Sequence, residues 1–284
     1  MLSPRNALLL ALCCSGAGCG NETERLFAAA ARAERNDDYE GAARQLREIV
    51  IDHPDSPMAA RARLELAQIQ LLRTRDITAV HGALVEILDD YPGTDVALEA
   101  HRLLARLYEH ELQDPERAIP HHLAVLETEE GTDAARETLL SLAECYYRLE
   151  NLSEAAAAYE RAVALPYAAS ADAAYFRLAM LSRIAHDGET ALRWLEAIAQ
   201  RTEDAGRRYT ALLMQVEALM SLERFTEARR RLSQAERLSP GSPQNRELET
   251  RLDSAQGVPS GTDGADDLLE LQEKIHWGSG RGAR

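Results

Sequence analysis

The sequence predicts an all-α protein built from about six stacked helix-turn-helix repeats, and three observations support this fold class. The chain is 45% hydrophobic but only 5% aromatic, a composition that favours helices over β-sheet. Apolar residues recur at spacings of three and four, as they do on one face of a helix. A small apolar residue also recurs every 36 to 38 residues, at Ala42, Val80, Ala118, Ala155, Ala191 and Ala228. This period indicates a stack of similar helix pairs, each burying its apolar face against its neighbours.

The first two repeats share one pattern and predict helix pairs near residues 23–56 and 61–94. A short polar turn such as Asn36-Asp37-Asp38 joins the two helices of a pair, and Pro54 or Pro92 bars continuation of the second helix. The apolar faces comprise Leu26, Ala30, Ala33, Leu46 and Ile49 in the first repeat and Leu64, Ala67, Leu71, Leu84 and Ile87 in the second.

The third repeat, near residues 98–131, is the least regular. Tyr108 fits the apolar face of its first helix and Ala118 fits that of its second. The turn between residues 110 and 116 holds one extra residue. Pro120 lies early enough in the second helix to be tolerated, and we expect it to bend that helix.

The fourth repeat, near residues 136–169, carries the clearest motif. One face of its first helix is formed by Leu139, Leu142, Ala143 and Tyr146. One face of its second helix, before Pro166, is formed by Ala155, Tyr159 and Ala162. This pattern resembles the tetratricopeptide repeat, a helix-turn-helix unit of roughly 34 residues. The resemblance implies an α-α superhelix, or solenoid, whose first helices line a concave surface for binding other proteins.

Two further repeats and a final helix complete the predicted array over residues 23–256. The repeats lie near residues 172–205 and 209–242, with apolar faces that include Tyr175, Leu178, Leu195, Ile198, Leu212, Val216, Leu219 and Leu232. Residues 243–256 predict a capping helix with Leu248 and Leu252 facing inward. Such a cap is required because the last repeat would otherwise expose its apolar side.

Three segments follow the array. Residues 257–265 are rich in Gly, Pro, Ser and Asp and predict a linker. Residues 266–277 predict a short amphipathic helix with Leu268 and Ile275 on its apolar face. This helix either docks on the array or engages another protein. Residues 278–284 are expected to form a disordered tail.

Residues 1–18 have the layout of a secretory signal, in which Arg5 precedes an apolar run and small residues. The run is too short to span a bilayer, which needs about 20 residues. Ala17-Gly18-Cys19 resembles the cleavage box of bacterial lipoproteins, which implies that Cys19 carries lipid and that residues 19–22 form a tether. The alternative is a plain signal peptide and a periplasmic protein. No aspartate follows Cys19 directly, so the resemblance implies the periplasmic face of the outer membrane.

The charge and the motifs argue against several functions. The formal net charge is −15, whereas nucleic-acid binding needs clustered positive charge. The sequence contains no phosphate-binding loop, dinucleotide motif, HExxH motif or nucleophile elbow, so we predict no catalytic residue and no cofactor. Cys145 is interpreted as a small buried hydrophobic residue. No metal site is predicted, because metal-ligand spacing is absent among the histidines of this region, His81, His101, His110, His121 and His122.

The predicted binding surface is the concave face, where apolar side chains alternate with arginine. The template places there Arg73, Arg102, Arg106, Leu140, Glu144, Tyr147, Arg148, Phe176, Met180 and Arg183. Arginine can bind a carboxylate through two parallel hydrogen bonds, and aromatic and methionine side chains give adaptable apolar contact. We therefore expect a groove for an acidic peptide. The alternative is that these arginines pair with Glu99, Glu109 and Glu144, each exposed pair contributing only about 0–1 kcal/mol.

These features predict a non-catalytic scaffold that binds peptide segments of envelope proteins and is anchored to the membrane by its N-terminal lipid. Tyr91-Pro92-Gly93-Thr94, together with the box at Cys19, is similar to the lipoprotein of the outer-membrane β-barrel assembly machine. That resemblance implies a part in outer-membrane protein assembly. Pilus-assembly and motility lipoproteins carry the same repeats and are equal alternatives. A further alternative is a soluble periplasmic partner of cell-wall or Tol-type machinery.

Overall fold

A computed structural model describes residues 22–129 and 131–257 of the 284-residue chain. Several predicted features lie outside the described residues. They are the signal segment, the lipid attachment expected at Cys19, almost all of the tether and linker, the helix expected over residues 266–277 and the tail. Within the described part of the chain, no helix combines the length and the hydropathy needed to cross a membrane.

The described residues form thirteen α-helices and no strand, which confirms the predicted all-α class of paired helices. Residues 22–35 form α1. The later helices are α2 (Tyr39–Asp52), α3 (Ala59–Arg73), α4 (Ile77–Asp90), α5 (Asp95–Arg106), α6 (Pro115–Glu129), α7 (Asp133–Arg148), α8 (Leu152–Ala164), α9 (Asp172–Ile184), α10 (Gly188–Arg201), α11 (Ala205–Ser221), α12 (Phe225–Leu238) and α13 (Pro243–Gly257). Capping side chains begin at least seven of the described helices, namely Asp38, Asp76, Thr94, Asp114, Thr132, Asp187 and Asp204.

The chain divides into two compact units between Ala158 and Tyr159, within α8. In the first unit, each helix from α2 to α7 packs against the next along the chain. One apolar cluster there is formed by α1, α2 and α3 around Leu46, and a second, around Leu84, extends from α3 to α7. Each helix pair therefore shares its core with the pair beside it, as stacked repeats require.

The second unit is built in the same way. Its helices α9 to α13 pack successively, and Leu195 lies in the cluster formed by α9, α10 and α11. The last cluster joins α11 and α12 to Leu248 and Leu252 of α13, which are 5% and 0% exposed. The inward orientation predicted for these two leucines is therefore correct.

The six residues that set the repeat period are all buried. Their exposed fractions are 1% or less for Ala42, Val80, Ala118, Ala155, Ala191 and Ala228. A small side chain at this position allows close approach of neighbouring helices, because interiors are packed without spare volume. The period in the sequence is thus a packing requirement repeated in each helix pair.

The turns inside the six helix pairs share one backbone feature. In every pair, the residue two positions before the second helix has a left-handed conformation, with φ between 52° and 60°. These residues are Asp37, Arg75, Gln113, Glu150, His186 and Glu223, and none is glycine. A side chain in this conformation costs about 1–2 kcal/mol relative to the right-handed region.

Replacing Glu223 with glycine is expected to raise the free energy of unfolding by about 0.5–1 kcal/mol, since glycine adopts this conformation without a Cβ clash. Urea denaturation measures the change. The matched control is Arg230→Gly in the exposed interior of α12, which is expected to lower stability by about 1 kcal/mol. A loss of stability in both variants would contradict the assignment of strain to the turn.

The extra residue of the third repeat lies at the end of its first helix and not in the turn. Residues Leu107–Glu111 form a π-helical segment that continues α5 (the π segment). The amide of Leu112 donates to the carbonyl of Leu107 at 3.0 Å, a bond that spans five residues. A π-helical turn accommodates one additional residue without ending the helix. Helix α6 continues through Pro120 to Glu129.

Candidate functional site

An open groove of about 600 Å³ lies in the first unit between α3 and α5 with its π segment. Its apolar floor includes Leu103 and Leu107, which are 5% and 2% exposed. Its rim includes Leu72, which is 65% exposed. The other lining residues are Gln68, Leu71, Arg75, Arg106, His110 and Glu111. An apolar floor with a few polar groups on the rim is the usual composition of a binding groove.

Among the residues predicted from sequence, Arg106 is the one that lines this groove. Its side chain is exposed and makes no hydrogen bond or ion pair within residues 22–129 and 131–257. Arg75 is the second cation of the groove, and its guanidinium lies 4.0 Å from the carboxylate of Glu111. Both of those side chains are at least one third exposed, so the pair is weak. The groove therefore presents positive charge to a ligand.

Arg73, the predicted site residue of α3, lies outside the lining of the groove. It is exposed, and its guanidinium carbon is 5.4 Å from the centre of the Tyr39 ring. This cation–π contact is worth about 0.5–1 kcal/mol at an exposed site. Arg73 thus serves packing between α2 and α3.

Two further predicted arginines of the first unit are engaged within the protein, and the pair of Arg102 with Glu99 is one that the alternative interpretation expected. Arg102 donates to Glu99 at 2.6 Å and also pairs with Glu129. Arg148 donates to the amide oxygen of Gln113 at 3.1 Å. The three other predicted residues of this unit are half-buried on α7 and do not line the groove, namely Leu140, Glu144 and Tyr147.

The predicted site residues of the second unit are largely internal. Phe176 is 3% exposed and belongs to the core cluster around Leu195, so it is unsuited to direct contact with a ligand. Met180 packs against the same cluster. Arg183 lies 3.6 Å from Glu217, and both side chains are mostly buried. Burial lowers the pKa of Arg183, while Glu217 acts in the opposite direction.

A buried polar cluster (the buried triad) is formed by Glu109 of the π segment, His122 of α6 and Cys145 of α7. Their exposed fractions are 7%, 5% and 1%. His122 Nε2 donates to Glu109 Oε1 at 3.0 Å, and the Cys145 thiol donates to the same oxygen at 3.1 Å. Burial acts to raise the pKa of Glu109, but the two hydrogen bonds and the electrostatic effect of His122 and His110 together outweigh it, and the pKa lies below its usual value. The triad therefore holds a carboxylate anion.

Next to the triad, Tyr108 and the three histidines His81, His101 and His121 form a second cluster. The Nδ1 atoms of His101 and His121 are 2.9 Å apart, and His81 Nε2 lies 2.6 Å from the Tyr108 hydroxyl. The ring of Tyr108 stacks on that of His121 at 5.7 Å. Burial, followed by the proximity of His101, lowers the pKa of His121 to about 4. His121 is therefore neutral at physiological pH.

The sequence interpretation missed the triad, although the spacing of two of its residues is a signal that the sequence contains. Glu109 and Cys145 are 36 residues apart, close to one repeat period, so both fall near the end of the first helix in neighbouring repeats. Cys145 is buried as predicted, but its thiol is a hydrogen-bond donor. Leu103 and Leu107 of the groove were also missed, although Leu103 lies three residues before Arg106 and four before Leu107, spacings that join neighbours on a helix face.

Comparisons with known proteins agree with this architecture. A family model described as the tetratricopeptide repeat matches residues 27–93 and 111–174. A comparison with curated proteins finds no significant match.

Solved structures with the same kind of fold have low sequence identity to this chain. A tetratricopeptide repeat protein from Parabacteroides merdae is 15% identical with a TM-score of 0.53, covering 89% of this chain and 100% of that one. The protein pilF of Pseudomonas aeruginosa is 16% identical with a TM-score of 0.50, covering 82% and 99%. MamA from Desulfovibrio magneticus is 17% identical with a TM-score of 0.51, covering 65% and 98%. These identities establish likeness of fold alone. The matched repeats and the successive packing of helix pairs show that the chain contains tetratricopeptide repeats.

Proposed function

We propose that this protein is a non-catalytic scaffold that binds acidic peptide segments of partner proteins in the groove between α3 and α5. The observation that carries the proposal is the exposed Arg106, which has no ion-pair or hydrogen-bond partner in the described part of the chain, beside the apolar floor of Leu103 and Leu107. The floor supplies apolar contact, and Arg106 and Arg75 supply charge for a carboxylate.

The charge distribution supports an anionic ligand. The whole chain is acidic, with a formal net charge of −15, so an acidic peptide would be repelled from much of the surface. Arg75, which follows α3, and Arg106 of α5 line the same groove, and Glu111 is the acidic neighbour of Arg75. A local positive site on an acidic protein selects both the position and the orientation of such a ligand.

A photo-crosslinking amino acid at Leu72 tests the groove in cells. The matched control is the same amino acid at Ile51 of α2, which is 70% exposed but does not line the groove. We expect a specific crosslinked partner from position 72 and none from position 51. Equal yields from both positions would contradict a binding site in the groove.

Introducing Arg106→Glu into the protein that carries the crosslinker at position 72 is expected to lower the yield at least about tenfold. A hydrogen bond to a charged group contributes about 1.5–3 kcal/mol, and about 1.4 kcal/mol is a factor of ten in affinity. The control is Arg44→Glu on α2, an exposed residue outside the groove lining. An unchanged yield with Arg106→Glu would remove the acidic-peptide specificity, whereas loss with both variants would indicate a general charge effect.

The second part of the proposal is an anchor at the periplasmic face of the outer membrane through lipid on Cys19. It is supported by the apolar run and by Ala17-Gly18-Cys19 in the sequence, and more than one acyl chain is needed for stable attachment. The mass of the N-terminal peptide of the mature protein tests it. We expect an acylated Cys19, and an unmodified residue 19 would favour the soluble periplasmic alternative.

The identity of the protein captured from position 72 decides among the envelope pathways. Capture of an outer-membrane assembly component would support the assembly role proposed from the resemblance. Capture of a pilus or motility component, or of a cell-wall or Tol-type protein, would support the corresponding alternative instead.

A further inference from the structure

We propose that Glu109, His122 and Cys145, the buried triad, bind one zinc ion that links the π segment to α6 and α7. The three residues come from three successive helical elements of the first unit, and each offers one potential metal ligand: a carboxylate oxygen, an imidazole nitrogen and a thiol sulfur. The inference is independent of the proposed groove function.

The positions of the ligand atoms suit a tetrahedral ion. Glu109 Oε1 lies 3.0 Å from His122 Nε2 and 3.1 Å from Cys145 Sγ, and all three atoms lie within 4.8 Å of one another. Zinc bonds of about 2.0–2.3 Å imply ligand–ligand separations of roughly 3.3–3.6 Å in a tetrahedron. The two short distances therefore need to lengthen by only about half an ångström when zinc replaces the two hydrogen atoms.

The ligand types select zinc over the alkaline-earth ions. Calcium and magnesium prefer sites made of oxygen alone. A thiolate, an imidazole and a carboxylate together suit a borderline ion such as zinc. Zinc binding displaces the thiol proton of Cys145 to solvent, requires the His122 proton to move from Nε2 to Nδ1 by exchange with solvent, and ends both hydrogen bonds to Glu109.

The charge of the site also favours a divalent cation. Zinc with the Glu109 carboxylate, the Cys145 thiolate and the neutral His122 imidazole gives a net charge of zero in a buried place. Without the ion, the buried carboxylate accepts hydrogen bonds from His122 and Cys145 and carries a negative charge. Burying charge is costly unless it is compensated. The nearby guanidinium of Arg148 donates to the backbone carbonyl of Glu109 at 3.4 Å and leaves the carboxylate oxygens to the ion.

The fourth position of the tetrahedron has a candidate on the solvent side. His110 Nε2 lies 3.8 Å from Glu109 Oε2, and its side chain is 71% exposed, so it can rotate towards the ion. The π segment places Glu109 and His110 next to each other at the end of the helix. π-helical turns are frequent at functional sites, and here the turn supplies two ligand positions.

Cobalt titration of the metal-free, reduced full-length protein tests the proposal, because a cobalt–thiolate bond gives a charge-transfer absorption band in the near ultraviolet. We expect saturation at one cobalt ion per chain. We also expect zinc to displace the cobalt and to raise the melting temperature of the protein, since an ion that binds the folded state alone stabilises it.

The variant Cys145→Ser separates a metal ligand from a structural hydrogen bond. Serine can still donate to Glu109, so a purely structural role would leave the protein unchanged. If the triad binds zinc, the charge-transfer band and the zinc-dependent rise in melting temperature are both lost. Loss of a residue that only hydrogen-bonds to a metal ligand lowers metal affinity by roughly 10–100-fold. Because Cys145 would bind the zinc directly, we expect a larger fall in zinc affinity. If Cys145→Ser fails to fold, as judged by circular dichroism, His122→Asn replaces it in the same measurements. The same losses are then expected.

Two controls exclude other sources of the signal. The cysteines outside the triad, Cys13, Cys14 and Cys19, remain in the Cys145→Ser variant, so persistence of the band there would overturn the proposal. The variant His101→Ala removes one member of the neighbouring histidine pair and is expected to keep full cobalt binding. Loss of binding in His101→Ala, or no stoichiometric binding by the unaltered protein, would show that the triad is a hydrogen-bonded group only.

Discussion

Replacing Leu84 with alanine is expected to lower the free energy of unfolding of the first unit by about 2–5 kcal/mol. Leu84 lies on α4 and is fully buried. It belongs to the cluster that also contains Leu64 of α3 and Leu104 of α5. Removing its three outer carbon atoms forfeits their burial and leaves a cavity that helices from two repeats border. The loss therefore affects the stacking of repeats as well as one helix pair.

Urea denaturation followed by circular dichroism measures this effect. The control is Leu123→Ala on α6, because Leu123 is 40% exposed and its truncation removes little buried surface. We expect the control to change stability by about 0.5 kcal/mol or less. Similar losses for both variants would contradict the assignment of Leu84 to the core.

Hydrogen exchange is expected to locate the Leu84→Ala defect. In a stack of repeats, stability is approximately a sum of the stabilities of repeats and of nearest-neighbour interfaces. Exchange should therefore quicken most in α3, α4 and α5, which contain Leu84 and its contacts. Faster exchange confined to helices far along the chain, such as α12, would be inconsistent with nearest-neighbour coupling.

The second large effect is expected at Asp172, the first residue of α9, where alanine should lower stability by about 3 kcal/mol. Asp172 is 1% exposed and accepts hydrogen bonds from the Thr202 hydroxyl at 2.8 Å, the Tyr167 hydroxyl at 2.8 Å and Arg207 at 2.9 Å. Its negative charge also lies at the positive end of the helix dipole.

Alanine at position 172 leaves the hydroxyl of Thr202 without an acceptor in a place that is itself 1% exposed. An unsatisfied buried donor costs about 1–3 kcal/mol, whereas the largely solvated Arg207 contributes less. The control is Asp253→Ala, which removes an exposed ion pair with Arg229 at 2.6 Å. We expect the control to cost about 0–1 kcal/mol. Equal losses in the two variants would show that Asp172 acts as an ordinary surface charge.

The candidate site illustrates why a repeat template predicts positions better than contacts. Arg102 and Arg106 are one helical turn apart on α5, and the template assigned both to the binding surface. Arg102 instead pairs with Glu129 of α6, while Arg106 lines the groove. Which of two neighbouring arginines is free depends on the acid that the next helix presents. A template for one helix contains no information about that partner.

The sequence alone determined the helix pairs, their period and the burial of the small residues at each crossing. These features follow from local periodicity and from a small apolar residue that recurs at six evenly spaced positions. Ala118 and Ala191 are buried as the spacing predicts, although their surroundings differ. Tertiary structure alone decided that Glu109, His122 and Cys145 meet, because their separation in sequence is 13 and 36 residues. It also decided that the π segment absorbs an extra residue. Both outcomes depend on how neighbouring repeats stack, and no single helix encodes that arrangement.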